Sequence, residues 1–174
     1  MHIIETDRLI LRKLKIEDVP LLHDILGDKK TMIYYPAPYE IDEVIQWINK
    51  SIQSYAENGF GLWAVILKGS NEFIGQCGIS LQNINGNIVP EIGYHIKQSF
   101  WNNAYATEAA RASLNYGFKT LRLSEIFIHT YIKNIPSQRV AEKIGMTRLF
   151  EYQKQLAFNN VKWLHVVYSK SNTC

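Results

Sequence analysis

The chain has little cysteine, no long apolar run and no strong excess of either charge. Cys77 and Cys174 are its two cysteines in 174 residues, and their spacing is not that of metal ligands. So few in a chain of this length point to a reducing compartment rather than a disulfide framework. Cys77 is expected in a core strand and Cys174 in a tail. No apolar stretch approaches the roughly 20 residues of a membrane span. Charges alternate by Glu5, so no signal or transit segment is expected, and the expected location is cytoplasmic. A net charge of +3 is too weak to argue for nucleic acid, and no run of Lys or Arg forms a binding arm. What is present is ordinary for a soluble globular protein: 47% hydrophobic and 20% charged residues. One domain over residues 1–174 is expected, large enough to bury about two-thirds of its unfolded surface.

Periodicity supplies an order of elements. RLILRKL (Arg8 to Leu14) alternates as a first strand, led in by Glu5-Thr6-Asp7. Val19, Leu22, Ile25 and Leu26 have helical spacing, and Gly27 ends that helix. TMIYYPAPYE carries two prolines and three tyrosines, so it reads as a loop that either packs over the core or lines a substrate groove. Val44, Trp47, Ile48, Ile52 and Tyr55 share one face of a helix over Ile41 to Glu57. The period then changes to strands: LWAVILK and EFIGQCGISL flank a hairpin turn at Gly69-Ser70-Asn71, and a turn at Asn83 to Asn87 leads to IVPEIGYHI. A long helix over Tyr105 to Lys119, the strand SEIFIHTY, and a short helix over Ile135 to Ile144 with Gly145 as its C-cap follow. MTRLFEYQKQLAF and KWLHVVYS end the order as two strands joined at Asn159-Asn160. The predicted order is β-α-α-β-β-β-α-β-α-β-β, an α/β or α+β domain.

The stretch from Pro90 to Phe118, PEIGYHIKQSFWNNAYATEAARASLNYGF, organises the rest. It runs from a strand through a turn into the long helix, whose unpaired first N–H groups and dipole suit a phosphate. Asn102, Asn103, Ala104, Ala106 and Thr107 are small or polar, which lets a phosphate approach the backbone. In detail, EIGYHI followed by WNNAYATEAA resembles the acetyl-CoA pyrophosphate loop of the GCN5-related N-acetyltransferases (GNAT). The branch it resembles includes the ribosomal-protein alanine acetyltransferases. Trp101, Asn102, Tyr105, Ala106, Thr107, Glu108 and Ala109 match, whereas Ala104 stands where the family has glycine. TDRLILR, GFGLWAVI, FIGQCGI and NIPSQRVAEKIGM match in the same order, from about Arg8 to Tyr168. The resemblance implies a central mixed, splayed β-sheet flanked by helices, with acetyl-CoA as cosubstrate and no metal.

Acetyl transfer from a thioester to an amine requires a placed thioester, a deprotonated amine, an oxyanion donor and an acid for the thiolate. Strand alternation puts Glu91, Gly93 and His95 on one face and Ile92, Tyr94 and Ile96 on the other. Glu91 is either an edge carboxylate in water or a placed base; the resemblance implies the base. Tyr94, His95 and Ile96 match the strand end whose backbone pairs with the pantetheine arm, although His95 also reads as a surface histidine. Asn102, Asn103, Ala104, Tyr105, Ala106 and Thr107 match the pyrophosphate turn, with Lys97 the one side-chain cation nearby in sequence. Asn134 and Ser137 resemble the second signature, in which Asn holds the cofactor arm and Ser lies near the sulfur. Asn134 also suits a turn, and Ser137 a helix cap. Ser137 is the candidate acid and Tyr131 its reserve.

Arg139 and Lys143 are four apart on one helix, near the adenosine phosphates or simply solvated. Glu108 reads as a structural carboxylate at a helix start. His165 replaces the family's usual Asp in the region that shapes the acceptor site.

The expected function is acetyl transfer from acetyl-CoA to a primary amine, either a protein N-terminus or a small-molecule amine. Ala104 leaves open a non-catalytic acyl-CoA-binding or sensor domain. Neither a nucleic acid nor a membrane partner is expected, and the chain is expected as a monomer or homodimer. At Ala104 the expected backbone is helical, with negative φ.

Overall fold

The computed structural model describes residues 2–156 and 161–173. The expected Asn159-Asn160 connection, the end of the strand predicted through Phe158, and Cys174 lie outside them. The strands are β1 (His2–Glu5), β2 (Leu9–Lys13), β3 (Leu62–Leu67), β4 (Glu72–Ile84), β5 (Asn87–Ile96), β6 (Glu125–Tyr131), β7 (Thr147–Gln155) and β8 (Lys162–Ser171). The helices are α1 (Val19–Leu26), α2 (Ile41–Glu57), α3 (Tyr105–Lys119) and α4 (Ile135–Lys143). Against the predicted order, one strand is new. β1 has only four residues and no alternation of its own; it forms because Thr6 N–H donates to Leu9 O and folds it back, antiparallel, on β2.

Among the described residues the sheet has eight strands, in the order β1-β2-β3-β4-β5-β6-β8-β7. Every pairing is antiparallel except that of β5 with β6, which is parallel and registers Cα partners only at Glu91 and Phe127. Past that pair the two strands part, one running on to Ile96 and the other to Tyr131. This is the splay that the family resemblance implies.

Alternation divides the sheet into two faces with different cores. On one face Cys77, Ile79, Ile92, Ile96, Ile128 and Tyr168 pack with Ala109, Ala110 and Leu114 of α3 and Val140 and Ala141 of α4. On the other, Leu62, Ala64, Ile66 and Phe73 pack with α1 and α2 through Leu22, Ile25, Val44 and Ile48. α1 and α2 pack over the β2–β4 side of that second face. Its β5–β8 side carries the polar residues described below. No helix among the described residues is long and apolar enough to cross a membrane.

Candidate active site

Two pieces of local structure flank the splay. The first is the turn into α3. Trp101 Nε1 donates to Ile96 O at 2.7 Å, tying the turn to the end of β5. Asn103 Nδ2 reaches back to the carbonyls of Phe100 and Trp101. Asn102 and Ala104 both have positive φ, 64° and 62°. Ala104 is the N-cap of α3, no side chain caps that helix, and the first turn is left with free N–H groups. The expected negative φ at Ala104 is therefore wrong. Alternating the hand of the backbone at 102 and 104 turns the chain sharply enough to aim the amides outward, and alanine bears the strain that glycine would avoid.

Ala104→Gly should raise stability by about 1 kcal/mol, or roughly 2–4 °C in Tm for a chain of this size. Thermal unfolding checks this, and an unchanged or lowered Tm would count against a strained Ala104.

Cations are also arranged differently from the expectation. Lys97 pairs with Asp24 of α1 at 3.1 Å. The cation beside the first turn of α3 is Arg8, 4.5 Å over the Tyr105 ring and bound to Glu108. Glu108 is structural, as read: it accepts from Thr6 Oγ1 at 2.6 Å and from Arg8 N at 3.1 Å, fastening the β1–β2 turn to α3. Burial works to raise its carboxyl, and the Thr6 and Arg8 hydrogen bonds outweigh that and hold it low. A groove of about 650 Å³ runs along this junction, from Thr6 and Arg8 past Ala104 and Thr107 to Lys119. It flanks α3 and does not reach Glu91.

The second piece is the start of α4. Asn134 caps it, its Oδ1 accepting from Ser137 N at 3.2 Å. Ser137 is thus the capped residue rather than the cap. Its Oγ lies 2.9 Å from Tyr94 Oη, which also donates to Ser137 O at 3.0 Å. The structure thereby brings Tyr94, Asn134 and Ser137 together across the splay. Burial raises the Tyr94 phenol well above its ordinary range, with the Ser137 contact pulling the other way. Arg139 and Lys143 are exposed, and Arg111 Nη2 donates to Lys143 O at 2.5 Å.

On the opposite face lies a polar cluster. Glu91 is 7% exposed, so it is no edge carboxylate in water. Its Oε1 is 2.6 Å from His129 Nδ1 and accepts from His129 N at 3.2 Å. The Nδ1 approach has the length of an ion pair but falls short of an aligned hydrogen bond. His129 Nε2 is 2.8 Å from Lys154 Nζ. An ammonium can only donate, so Nε2 accepts and the ring proton sits on Nδ1, facing Glu91. His165, Tyr152, Tyr131 and Trp163 complete this wall, the last two stacked with centroids 4.2 Å apart. Tyr131 therefore stands on the Glu91 face, while Ser137 reaches the splay from α4, through Tyr94.

His95 is not a surface histidine. Its Nδ1 meets Gln76 Nε2 at 3.1 Å, and its ring lies 5.1 Å from Tyr35 and 5.9 Å from Trp47. The proline- and tyrosine-rich loop packs over the core. Met32 is buried in the core, while Tyr35 closes over His95. Periodicity does not single out His129, Lys154 or Tyr152, because their contacts with one another and with Glu91 join residues distant in sequence. A polar residue at alternate strand positions is the only signal.

Burial pushes His95 down to about 4 and His165 down to about 3, the latter helped by His129 and Lys154. Both fall below the unfolded value of about 6.5. Their contribution to stability is then full above that value and lost as pH falls towards the folded ones. Acidifying from pH 7 to pH 5 should cost about 1–2 kcal/mol for each. Urea unfolding at the two pH values checks this, and His165→Asn should remove its share of the slope.

A family model for the "Acetyltransferase (GNAT) domain" matches residues 8–147. The chain belongs to the GNAT acetyltransferase family. Among its relatives, "Uncharacterized protein YkkB" of Bacillus subtilis is 39% identical over 142 residues, 81% of this chain and 83% of that one. "Uncharacterized N-acetyltransferase YnaD" of the same organism is 32% identical over 97% of this chain and 96% of its own. A solved GNAT-family acetyltransferase from Bacillus anthracis superposes with a TM-score of 0.81 at 31% identity, covering 99% of each chain. The fold is also that of RimL, a ribosomal L7/L12 alpha-N-protein acetyltransferase in complex with coenzyme A. That match has a TM-score of 0.80 at 18% identity, over 98% of each chain. This GNAT protein is an enzyme of the N-acetyltransferase class.

Proposed function

We propose that this GNAT enzyme transfers an acetyl group from acetyl-CoA to a primary amine by direct attack of the amine on the thioester. The observation that carries the proposal is the buried carboxylate of Glu91 at the last residue pair before β5 and β6 part. The chain's residues suit the cosubstrate. The uncapped first turn of α3, with Ala104, Tyr105, Ala106 and Thr107, offers backbone N–H groups to a pyrophosphate. Asn102 and Asn103 shape that turn. The unpaired edge of Tyr94, His95 and Ile96 would receive the pantetheine amides, and Asn134 would stand at the arm's far side. The neighbour that holds coenzyme A on the same fold supports this reading.

In this arrangement the amine loses its proton to Glu91, directly or through water, and its lone pair forms the N–C bond. Both Glu91 contacts to His129 fall on Oε1, which leaves Oε2 for the amine. As the C–S bond breaks, the sulfur takes the electron pair, and Ser137 Oγ, hydrogen-bonded to Tyr94, would give it a proton. Tyr131, on the acceptor wall, is the reserve. A thiolate is already a tolerable leaving group, so Ser137→Ala should cost less than any change at Glu91.

Thermal unfolding with and without acetyl-CoA tests the cosubstrate: binding at 100 times Kd should add about 2.7 kcal/mol. CoA release across a panel of amines tests the reaction. No thermal shift at millimolar acetyl-CoA would sink the cosubstrate assignment. A second reading, a non-catalytic acyl-CoA sensor, is favoured only by the strained Ala104. Saturable binding with no CoA release from any amine would support it.

A further inference from the structure

The reaction as proposed leaves Lys154, His165 and Tyr152 without a role, yet they converge on the same wall as Glu91. His165 is 9% exposed, and neither of its ring nitrogens has a hydrogen-bond partner among the described residues. Tyr152 Oη is likewise buried and without a partner among them. Folded interiors rarely leave such groups unpaired. The three aromatic rings face one another, with His165 5.3 Å from His129 and 6.1 Å from Tyr152 between centroids. Lys154 spends one of its three protons on His129 Nε2. A polar ligand entering between them would satisfy several donors at once.

The charges on this wall have an order. A carboxylate, an imidazole and an ammonium stand in sequence, at 2.6 Å and 2.8 Å spacings on either side of the His129 ring. We infer that the acceptor is a compact zwitterion, with its amine at Glu91 and a carboxylate on the same or the next carbon received by Lys154, His165 and Tyr152; a free amino acid is the simplest member. The inference rests on the N-acetyltransferase reading and names its substrate class. One imidazole ring separates the two protein charges, a span that an amine and a carboxylate on neighbouring atoms can bridge. A polyamine fits poorly, because its second ammonium would meet Lys154 and Glu91 is already matched. A peptide N-terminus offers a neutral amide at the place where Lys154 waits for an anion. The stacked Tyr131–Trp163 pair stands beside Lys154, since Trp163 is the register partner of Lys154. It gives an acceptor's side chain a flat apolar surface.

The test uses the full chain, acetyl-CoA and amines in pairs that differ only by the carboxylate: L-phenylalanine with 2-phenylethylamine, and L-lysine with cadaverine. The carboxylated member should be preferred by about tenfold or more in kcat/KM, and Lys154→Met should shrink the preference to about threefold or less with the KM for acetyl-CoA unchanged. Equal or better turnover of the decarboxylated amines by the natural chain would overturn the inference and leave acetyl transfer standing. So would a Lys154→Met variant that loses activity equally on both members, since Lys154 would then only balance Glu91. If neither pair turns over, thermal shifts with CoA plus N-acetyl-L-phenylalanine or N-acetyl-2-phenylethylamine decide it. A larger shift with the carboxylated product supports the inference, and equal or absent shifts overturn it. Failure of the underlying reaction looks different: no stabilisation by acetyl-CoA and no CoA release from any amine.

Discussion

Glu91→Gln is expected to cut turnover by about 100- to 10,000-fold, the usual cost of losing a general base. Gln keeps the size of Glu and an oxygen for the His129 N–H, so the change removes charge and basicity with little loss of packing. Acetyl-CoA binding should survive, because the turn into α3 and the splay edge, proposed to hold the cosubstrate, do not use this carboxylate. The measurement is CoA release under saturating amine, read beside the acetyl-CoA thermal shift of the same variant. Near-wild-type turnover at neutral pH on a high-pKa amine would remove Glu91 from the role of base. Loss of the thermal shift together with activity would instead show that the substitution disturbs the sheet where β5 and β6 separate.

The second large effect separates two glycines that face each other in the sheet. Gly78 of β4 and Gly93 of β5 are register partners, between the Ser80–Glu91 and Gln76–His95 pairs. A Cβ at Gly78 would lie 2.3 Å from Gly61 O and 2.8 Å from Leu62 Cα, both backbone atoms that cannot step aside. Gly78→Ala should therefore destabilise the fold by about 3 kcal/mol, at the upper end of overpacking. A Cβ at Gly93 meets only Leu62 Cδ2, at 3.4 Å. Gly93→Ala should fold normally and place a methyl beside Glu91 and His95, raising the KM for the acceptor while acetyl-CoA binding holds. Unfolding curves and steady-state kinetics on the pair check both. Equal stability of the two variants would contradict the geometry.

Much of this is legible in the sequence because the chain's strongest signals are local. The α3 limits, Tyr105 to Lys119, come from an amphipathic run with small residues at its start, and the structure repeats them. The two faces of β5 follow from alternation alone. The splay is implied by the resemblance, and it rests on one parallel pairing that no local pattern announces. β1 is not legible because it is four residues long and forms only by pairing with β2 across the turn that follows it. Ala104 misleads because a residue before a helix has two backbone choices, and composition favours the negative φ that alanine ordinarily takes. The histidine–lysine part of the polar cluster around Glu91 is invisible for a different reason. Glu91, His129, Lys154 and His165 come from four strands, and only the β6-β8-β7 order of the sheet makes them neighbours.

That order also constrains how the molecule is made. β8 follows β7 in the chain but lies between it and β6, so β7 has no place in the sheet until the later strand has been synthesised and inserted. A nascent chain that has emerged only through Gln155 carries the turn into α3, the α3 and α4 segments and Glu91, with the outer edge of β6 still unpaired. Such an intermediate exposes a strand edge of the kind that pairs wrongly with other chains. Biogenesis of this enzyme should thus be most vulnerable between the emergence of β7 and that of β8, when chaperone capture competes with the arrival of a single strand.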